Sequence, residues 1–395
     1  MYGNHTVGVV VPAYNEEGLV GRTVEKIPPF VDRIYVVDDA STDDTWTEIR
    51  HTAGRINDRG SGVDDESPRD GDSPHGMGGV PSGGSWGPDG SGRSASSVDS
   101  EGSASSVSSE GSAGAGGQGE RAETRASFEP GVGDARVGPR VVPIRHEENR
   151  GVGGAIKSGY RRAHSDGIDV VAVIAGDDQM DSSALASLVE PIVEGRADYV
   201  KGNRLLSRES RTEVPRFRLF GNVLLSLLTK ISSGYWTISD SQNGYTAISR
   251  DALEAADFEE MYEFYGYCND LLVKLNVEGL TVVDVPTPIS YGDETSHISY
   301  RSYVPRVSWM LLSNFLWRLK ETYLVRDFHP LVLLYGLGIV AAGLSTLRAA
   351  GALRSREIDR LPRAVESGVL ATTLFVLAMI EDRAYNEDLD EQRRG

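Results

Sequence analysis

Residues 170–181 read VVAVIAGDDQMD. Six apolar positions run without a break, a glycine follows, and Asp177, Asp178 and Asp181 then fall within five residues. A run that is apolar at every position is the pattern of a strand buried on both faces, as in parallel sheets covered by helices on each side. The surrounding chain repeats the pattern. TVGVVVP, RIYVV and RVVPI are short β-branched runs, and EEGLVGRTVEKI, TDDTWTEIRHTA, GVGGAIKSGYRRAH and SALASLVEPIVEG carry helical periodicity. The alternation predicts an α/β fold with a mostly parallel, Rossmann-like sheet and helices on both faces. Ligands of such sheets bind beyond the carboxyl ends of the strands. The acids of 177–181 stand there, and so does the pair Asp38-Asp39 after RIYVV.

The chain has 395 residues and a formal net charge of −18. So acidic a surface argues against nucleic acid or general anionic lipid as a partner. It suits strong salt, because the Debye length falls from about 10 Å at 0.1 M to about 3 Å at 1 M and self-repulsion fades. Cys268 is the one cysteine, so no internal disulfide forms, and a small buried residue is the expected role. The first apolar run, TVGVVVP, is too short for a secretory signal and lacks a basic leader.

Composition divides the chain. Residues 1–56 and 139–300 carry the α/β pattern. Residues 57–138 are rich in Gly, Ser, Asp and Glu and nearly free of apolar side chains, so they are expected to form a disordered surface insertion. A loop of about 80 residues in place of about 4 costs only roughly 2.7 kcal/mol more in closure entropy, so the fold tolerates it. Residues 301–328 read as an interfacial amphipathic segment, with Trp309, Leu312, Leu316 and Trp317 flanked by Arg306, Arg318 and Lys320. Residues 329–381 read as a membrane hairpin of two helices, followed by a charged tail over 382–395. Its first uncharged run, 330–347, is about 27 Å long as a helix, close to the hydrocarbon thickness. The second, 367–380, is short for a span. Between the runs lie Arg348, Arg354, Arg356, Arg360 and Arg363, which by the positive-inside tendency belong on the cytoplasmic side. The apolar stretch 217–236 is read equally well as membrane-surface or as core.

Crowded carboxylates need a cation or a donor-rich ligand to stay ionised. Mg²⁺ takes one or two carboxylates together with oxygens of a substrate phosphate, so a nucleotide diphosphate is the expected ligand. Asp39 is then free to accept hydrogen bonds from a base, and Asp43 is a helix N-terminal acid. No Gly-rich phosphate loop follows the first strand, where the sequence is PAYNEEG, and this disfavours a nucleotidyltransferase or a dinucleotide oxidoreductase.

VVVPAYNEE, YVVDDASTDDT, NRGVGGAIKSGY, AGDDQMD, KGNR and SDSQNGYTAISRDAL occur in this order. Together they resemble the inverting family 2 glycosyltransferases of the GT-A fold, in the dolichyl-phosphate mannose/glucose synthase branch and of archaeal type. The resemblance spans about 6–55 and 140–300. It implies that Pro12, Tyr14 and Glu16 form the nucleotide-binding turn and that Asp39 binds the base. It implies that Asp177 and Gln179 hold Mg²⁺ or Mn²⁺, that Arg204 lies near the diphosphate, and that Asp240 lies near the acceptor as orienter or base. Ala175 stands where the family's D-x-D motif has its first acid, a gap that Asp178 or Asp181 would fill. Ser296-His297 occupies the place of a basic residue that often contacts the acceptor in this branch.

The implied function is metal-dependent transfer of a hexose, with inversion, from a nucleotide sugar (UDP- or GDP-linked) to dolichyl or other polyprenyl phosphate. The protein would be attached to the cell membrane, against membrane lipid, with its catalytic domain cytoplasmic. Arg216, Arg218, Arg301 and Arg306 are cationic candidates beside the anionic acceptor. One alternative is a family 2 transferase acting on a hydroxyl of a lipid-linked or surface glycan. Another is a non-catalytic nucleotide-sugar-binding protein.

Overall fold

The computed structural model describes residues 1–60, 138–206, 216–287, 300–355 and 361–390. The chain divides into Met1–Gly62 with Pro130–Gly395 and a second unit, Val63–Glu129, which lies outside the described residues. The expected disorder of the insertion, the side chains of Arg216, Arg218 and Arg301, and Ser296-His297 also lie outside them.

Among the described residues seven strands form one sheet in the order β3-β2-β1-β4-β6-β5-β7. They are β1 (Val7–Ala13), β2 (Arg33–Asp38), β3 (Val141–Arg145), β4 (Val170–Val173), β5 (Tyr199–Asn203), β6 (Thr246–Ser249) and β7 (Val282–Pro286). β6 pairs antiparallel with both β4 and β5, and every other pair is parallel. The sheet is therefore mostly parallel, as the apolar runs imply.

Those runs divide their side chains between two cores. Val7, Val9 and Val11 pack with α1 (Val20–Lys26), α2 (Thr45–Gly60) and α4 (Leu185–Val193) on one face. Val10, Tyr35 and Val37 pack with α3 (Gly151–Ser165), α6 (Arg250–Ala255) and α7 (Tyr267–Val277) on the other. Successive strand residues point to opposite faces, so a strand covered on both sides is apolar throughout. The helix α3 approaches β1 so closely that a Cβ on Gly159 would lie 2.3 Å from Val10 Cγ1. This explains the glycine within GVGGAIKSGY.

α2 runs on to Gly60, past residue 57, at which the insertion was expected to begin. Asn57 accounts for the difference. Its side chain accepts from Val141 N (2.9 Å) and donates to Val141 O (2.9 Å), closing the open edge of β3. The two ends of the insertion are thus fastened to each other.

Beyond the sheet come α5 (Arg216–Ser233), α8 (Tyr300–Lys320), α9 (Leu331–Ser355) and α10 (Leu361–Tyr385). By length and composition α9 and α10 can each cross a membrane. The second helix is longer than its uncharged run because the polar residues at both ends stay helical. The two are antiparallel neighbours: Ser345 Oγ donates to Ala364 O at 2.8 Å, and Arg348 reaches Arg363 O and the Ser367 hydroxyl. Arg348, Arg354 and Arg363 therefore lie toward the tip of the hairpin.

Arg318 departs from the sequence reading. It is not an interfacial cation but a fully buried one, paired with Asp382 of α10 (Nη1 to Oδ1 2.9 Å, Nη2 to Oδ2 3.1 Å). The partner lies 64 residues away in sequence, which no local pattern reveals. Trp309 remains exposed at 71%, together with Leu312 and Leu316 of α8 and Leu224, Leu227 and Leu228 of α5. Cys268 is buried and free.

Candidate active site

Six of the seven strands run the same way, so their carboxyl ends and the approach to β6 share one edge of the sheet. The chain goes from β1 outward through β2 and β3, then crosses back to β4 on the other side of β1. That reversal between β1 and β4 is the switch point at which open α/β sheets hold ligands. Gly176 N donates to Pro12 O at 3.0 Å, so Asp177 emerges at this crevice beside the turn after β1.

The turn carries Tyr14, exposed at 46%, and Glu16, half-buried; Pro12 is buried in β1. It is stitched to the loop after β2. Asn15 Oδ1 accepts from Thr42 N (2.8 Å), and Glu16 N donates to Thr45 Oγ1 (2.8 Å). Asp43 accepts from the Thr45 N–H and hydroxyl at the start of α2, the N-terminal role expected of it.

Asp39 differs from its expected state. Its carboxylate is not free but accepts from Arg150 N (2.9 Å) and Gly151 N (2.8 Å) at the N-terminus of α3, and it meets His146 Nδ1 at 2.7 Å. Open N–H groups and the helix dipole favour an anion there, so the helix takes up the oxygens that the loop alone would leave open. Facing an acceptor-only carboxylate, His146 Nδ1 carries the proton. Nε2 contacts Ser158 Oγ at 2.8 Å. Beside this relay lies a cavity of about 530 Å³ lined by Ala40, Ser41, Arg145, His146 and Glu147. Arg145 stacks 5.4 Å over the Trp46 ring and pairs with buried Asp38 at 3.2 Å.

At the end of β4, Asp177 Oδ1 accepts from Gln179 N at 3.2 Å. In this structure the neighbouring acids have other partners. Asp178 is taken by Lys26 (2.6 and 2.8 Å), and Asp181 caps the next turn through Ser183 N (2.9 Å). Among the described residues no three His, Cys, Asp or Glu side chains converge on a metal position. The donor set implied by the resemblance would be the Asp177 carboxylate and the Gln179 side-chain amide. It fits a hard cation that brings phosphate oxygens and water with it, and it does not fit an all-protein cage.

Arg204 and Asp240 form a bidentate pair, Nε to Oδ2 at 2.6 Å and Nη2 to Oδ1 at 2.8 Å, with Arg204 N adding a third bond at 3.1 Å. Burial alone would raise the Asp240 pKa. The hydrogen bonds and charge of Arg204, with Lys201 behind it, outweigh burial and hold the carboxyl below its usual range. β6 lies between β4 and β5, so Arg204, at the end of β5, follows a strand two spacings, about 10 Å, along the sheet from β4.

Lys201, Asn243 and Asp284 support the pair and were missed in the sequence. Lys201 Nζ donates to Asn243 O (2.7 Å), and Asn243 Nδ2 donates to Gly202 O (2.8 Å), clamping β5 to the approach of β6. Asp284 Oδ2 accepts from Asn203 Nδ2 (2.6 Å) and Ser239 N (2.9 Å). Burial pushes the Asp284 pKa up to about 6. The available signal was a charge inside an otherwise apolar strand, Lys201 in YVKGN and Asp284 in VVDVP.

Residues 8–60 and 133–256, which carry β1–β6 and the strand ends described above, match the sequence model of Glycosyl transferase family 2. The chain is 30% identical over 154 residues to a UDP-N-acetylglucosamine–dolichyl-phosphate N-acetylglucosaminyltransferase of Methanococcus voltae, covering 39% of this chain and 61% of that one. It is 28% identical over 172 residues to an undecaprenyl-phosphate mannosyltransferase of Micrococcus luteus, covering 43% of this chain and 65% of that one. The match thus spans less than two thirds of either relative. Among solved structures, glucosyl-3-phosphoglycerate synthase of Mycobacterium tuberculosis with uridine diphosphate is similar at 17% identity and a TM-score of 0.44, covering 79% of this chain and 81% of that one.

Proposed function

We propose that this protein transfers a sugar from a nucleotide sugar to a membrane polyprenyl phosphate, with inversion at the anomeric carbon. The observation that carries the reading is the buried Arg318–Asp382 pair, which docks two membrane-length helices onto the domain that bears the acidic strand edge. The exposed apolar side chains of α5 and α8 continue that lipid-facing surface. The catalytic domain is placed on the cytoplasmic side, where nucleotide sugars are found; a fully spanning hairpin then puts its arginine-bearing tip on the far side, against the positive-inside tendency.

The base lies in the cavity beside Asp39, sharing that carboxylate with the start of α3. Pro12, Tyr14 and Glu16 form the turn against the nucleoside. Asp177 and Gln179 are the residues that would hold Mg²⁺ or Mn²⁺, and a cation there would supply positive charge against the leaving diphosphate. Arg204, kept in one orientation by Asp240, adds its charge to the same group. A phosphate acceptor, with a second pKa near 6, is largely dianionic at pH 7 and needs no strong base. Both Asp240 oxygens are engaged by Arg204, an arrangement that suits a phosphate acceptor needing no base better than a sugar hydroxyl. Asp240 orients the acceptor.

The test is transfer by membranes containing the protein, in high salt with Mg²⁺ or Mn²⁺ and dolichyl phosphate. Radiolabelled UDP-N-acetylglucosamine, UDP-glucose and GDP-mannose are supplied separately. Label entering the organic phase as a mild-acid-labile lipid, and lost in Asp177→Ala, supports the reading and names the donor. Binding of a nucleotide sugar without transfer to any lipid phosphate overturns it.

A further inference from the structure

Residues 234–245 link α5 to β6 without regular structure, yet most of them are buried. Buried backbone without a ladder must find its partners elsewhere. Some come from the domain. Lys230 Nζ donates to Trp236 O at 2.7 Å, Ser239 N donates to Asp284, and Arg204 takes Asp240. The middle of the segment is held by residues that follow the second membrane-length helix. Asp390 Oδ2 accepts from Trp236 N (2.7 Å) and Thr237 N (3.1 Å), and its Oδ1 accepts from Thr237 Oγ1 (2.8 Å). Asp390 also forms a parallel bridge with Val282, at the edge of β7. From α10 itself, Asp382 Oδ2 accepts from Trp236 Nε1 at 3.3 Å.

We propose that Asp390 is a positioning residue: by fixing Trp236 and Thr237 it sets the loop that presents Asp240 to Arg204. The hairpin is then a working part of the site as well as an anchor. This inference rests on the transferase reading above. Its mechanical half, the fixing of the loop, does not.

The two halves are tested together on the full chain in mild detergent. Asp390→Ala removes all three bonds. Asp390→Asn keeps them in kind, because its Oδ1 can accept both N–H groups while its Nδ2 donates to the Thr237 hydroxyl. Thr237→Val removes one bond only. Hydrogen exchange of peptides covering 234–243 is expected to rise by about tenfold or more in Asp390→Ala, with the exchange of α9 and the β1–β2 region unchanged. In Asp390→Asn it returns close to wild type. In the transfer assay, Asp390→Ala lowers kcat by about tenfold while KM for the nucleotide sugar stays within about twofold, and Asp390→Asn restores kcat.

Unchanged exchange in Asp390→Ala overturns the proposal. So does a loss spread over the whole chain, or a kcat that Asp390→Asn fails to restore. If wild type transfers nothing, the transferase reading fails while the exchange comparison still decides whether Asp390 fixes the loop.

Discussion

The Arg318–Asp382 pair can be tested by a mutant cycle. Both side chains are fully buried. The guanidinium is also satisfied by α5, donating to Ser232 O (2.8 Å) and Ile231 O (3.0 Å), and it reaches Tyr323 Oη at 3.2 Å. Gly234, with φ +80°, leaves room for it: a Cβ there would lie 2.7 Å from Arg318 Nη1. Asp382→Leu leaves the cation buried with two carbonyls and the Tyr323 hydroxyl but no counter-charge, a loss of about 3–5 kcal/mol. Arg318→Met/Asp382→Leu removes both charges. Relative to Asp382→Leu, its added cost is the lost donor at the two carbonyls ending α5, about 1 kcal/mol each, because Tyr323 Oη and Trp236 Nε1 lose Asp382 in both variants. The double variant is therefore more stable than Asp382→Leu. Urea unfolding in mild detergent, followed by tryptophan fluorescence, reads this directly. At an m-value of about 2 kcal/mol/M, a loss of about 4 kcal/mol moves the midpoint by about 2 M. A double variant no more stable than Asp382→Leu refutes the pairing argument, and so does a single variant that costs under about 1 kcal/mol.

The pKa of Asp284 is about 6 in the folded protein against an ordinary 3.8. The folded state holds this proton more tightly, so the associated stability is fully present below about pH 4 and is lost as pH rises through 6. Asp284→Asn should match wild type near pH 4 and exceed it near pH 7, in urea midpoints measured across that range; a less stable variant at pH 7 contradicts the assignment. Replacing residues 61–137 by a linker of about 8 residues should leave nucleotide-sugar binding unchanged and lower the closure cost by about 2 kcal/mol, read as a higher unfolding midpoint. A chain that no longer folds shows that the Asn57–Val141 fastening is insufficient.

The fold was legible where the physics is local. β1 and β4 are apolar at every position because each side chain enters one of two cores, and that pattern survives in a single sequence. The membrane-length helices were legible for the same reason, as apolar length is a property of the run itself. What the sequence hid depends on distant partners. Arg318 looks like a surface cation until Asp382 is placed beside it, and Asp39 looks free until α3 brings Arg150 and Gly151 to it. The antiparallel strand β6 is only four residues long, too short for its direction to be read. At the site, the end of β4 was conspicuous as a cluster of acids. The separation of their tasks, with Lys26 on Asp178 and a turn on Asp181, needed the geometry.

The fastening of Trp236 by Asp390 spans 154 residues of chain. At about 5–20 residues per second of synthesis, Trp236 is made roughly 8–30 s before its partner exists. Within that interval β7 completes the sheet before α9 and α10 are made, while the loop before β6 lacks its closing contacts. A nascent domain that has not yet received its hairpin is then a folded sheet with an open loop. Order of synthesis thus delays closure of this loop until the two apolar helices have been made.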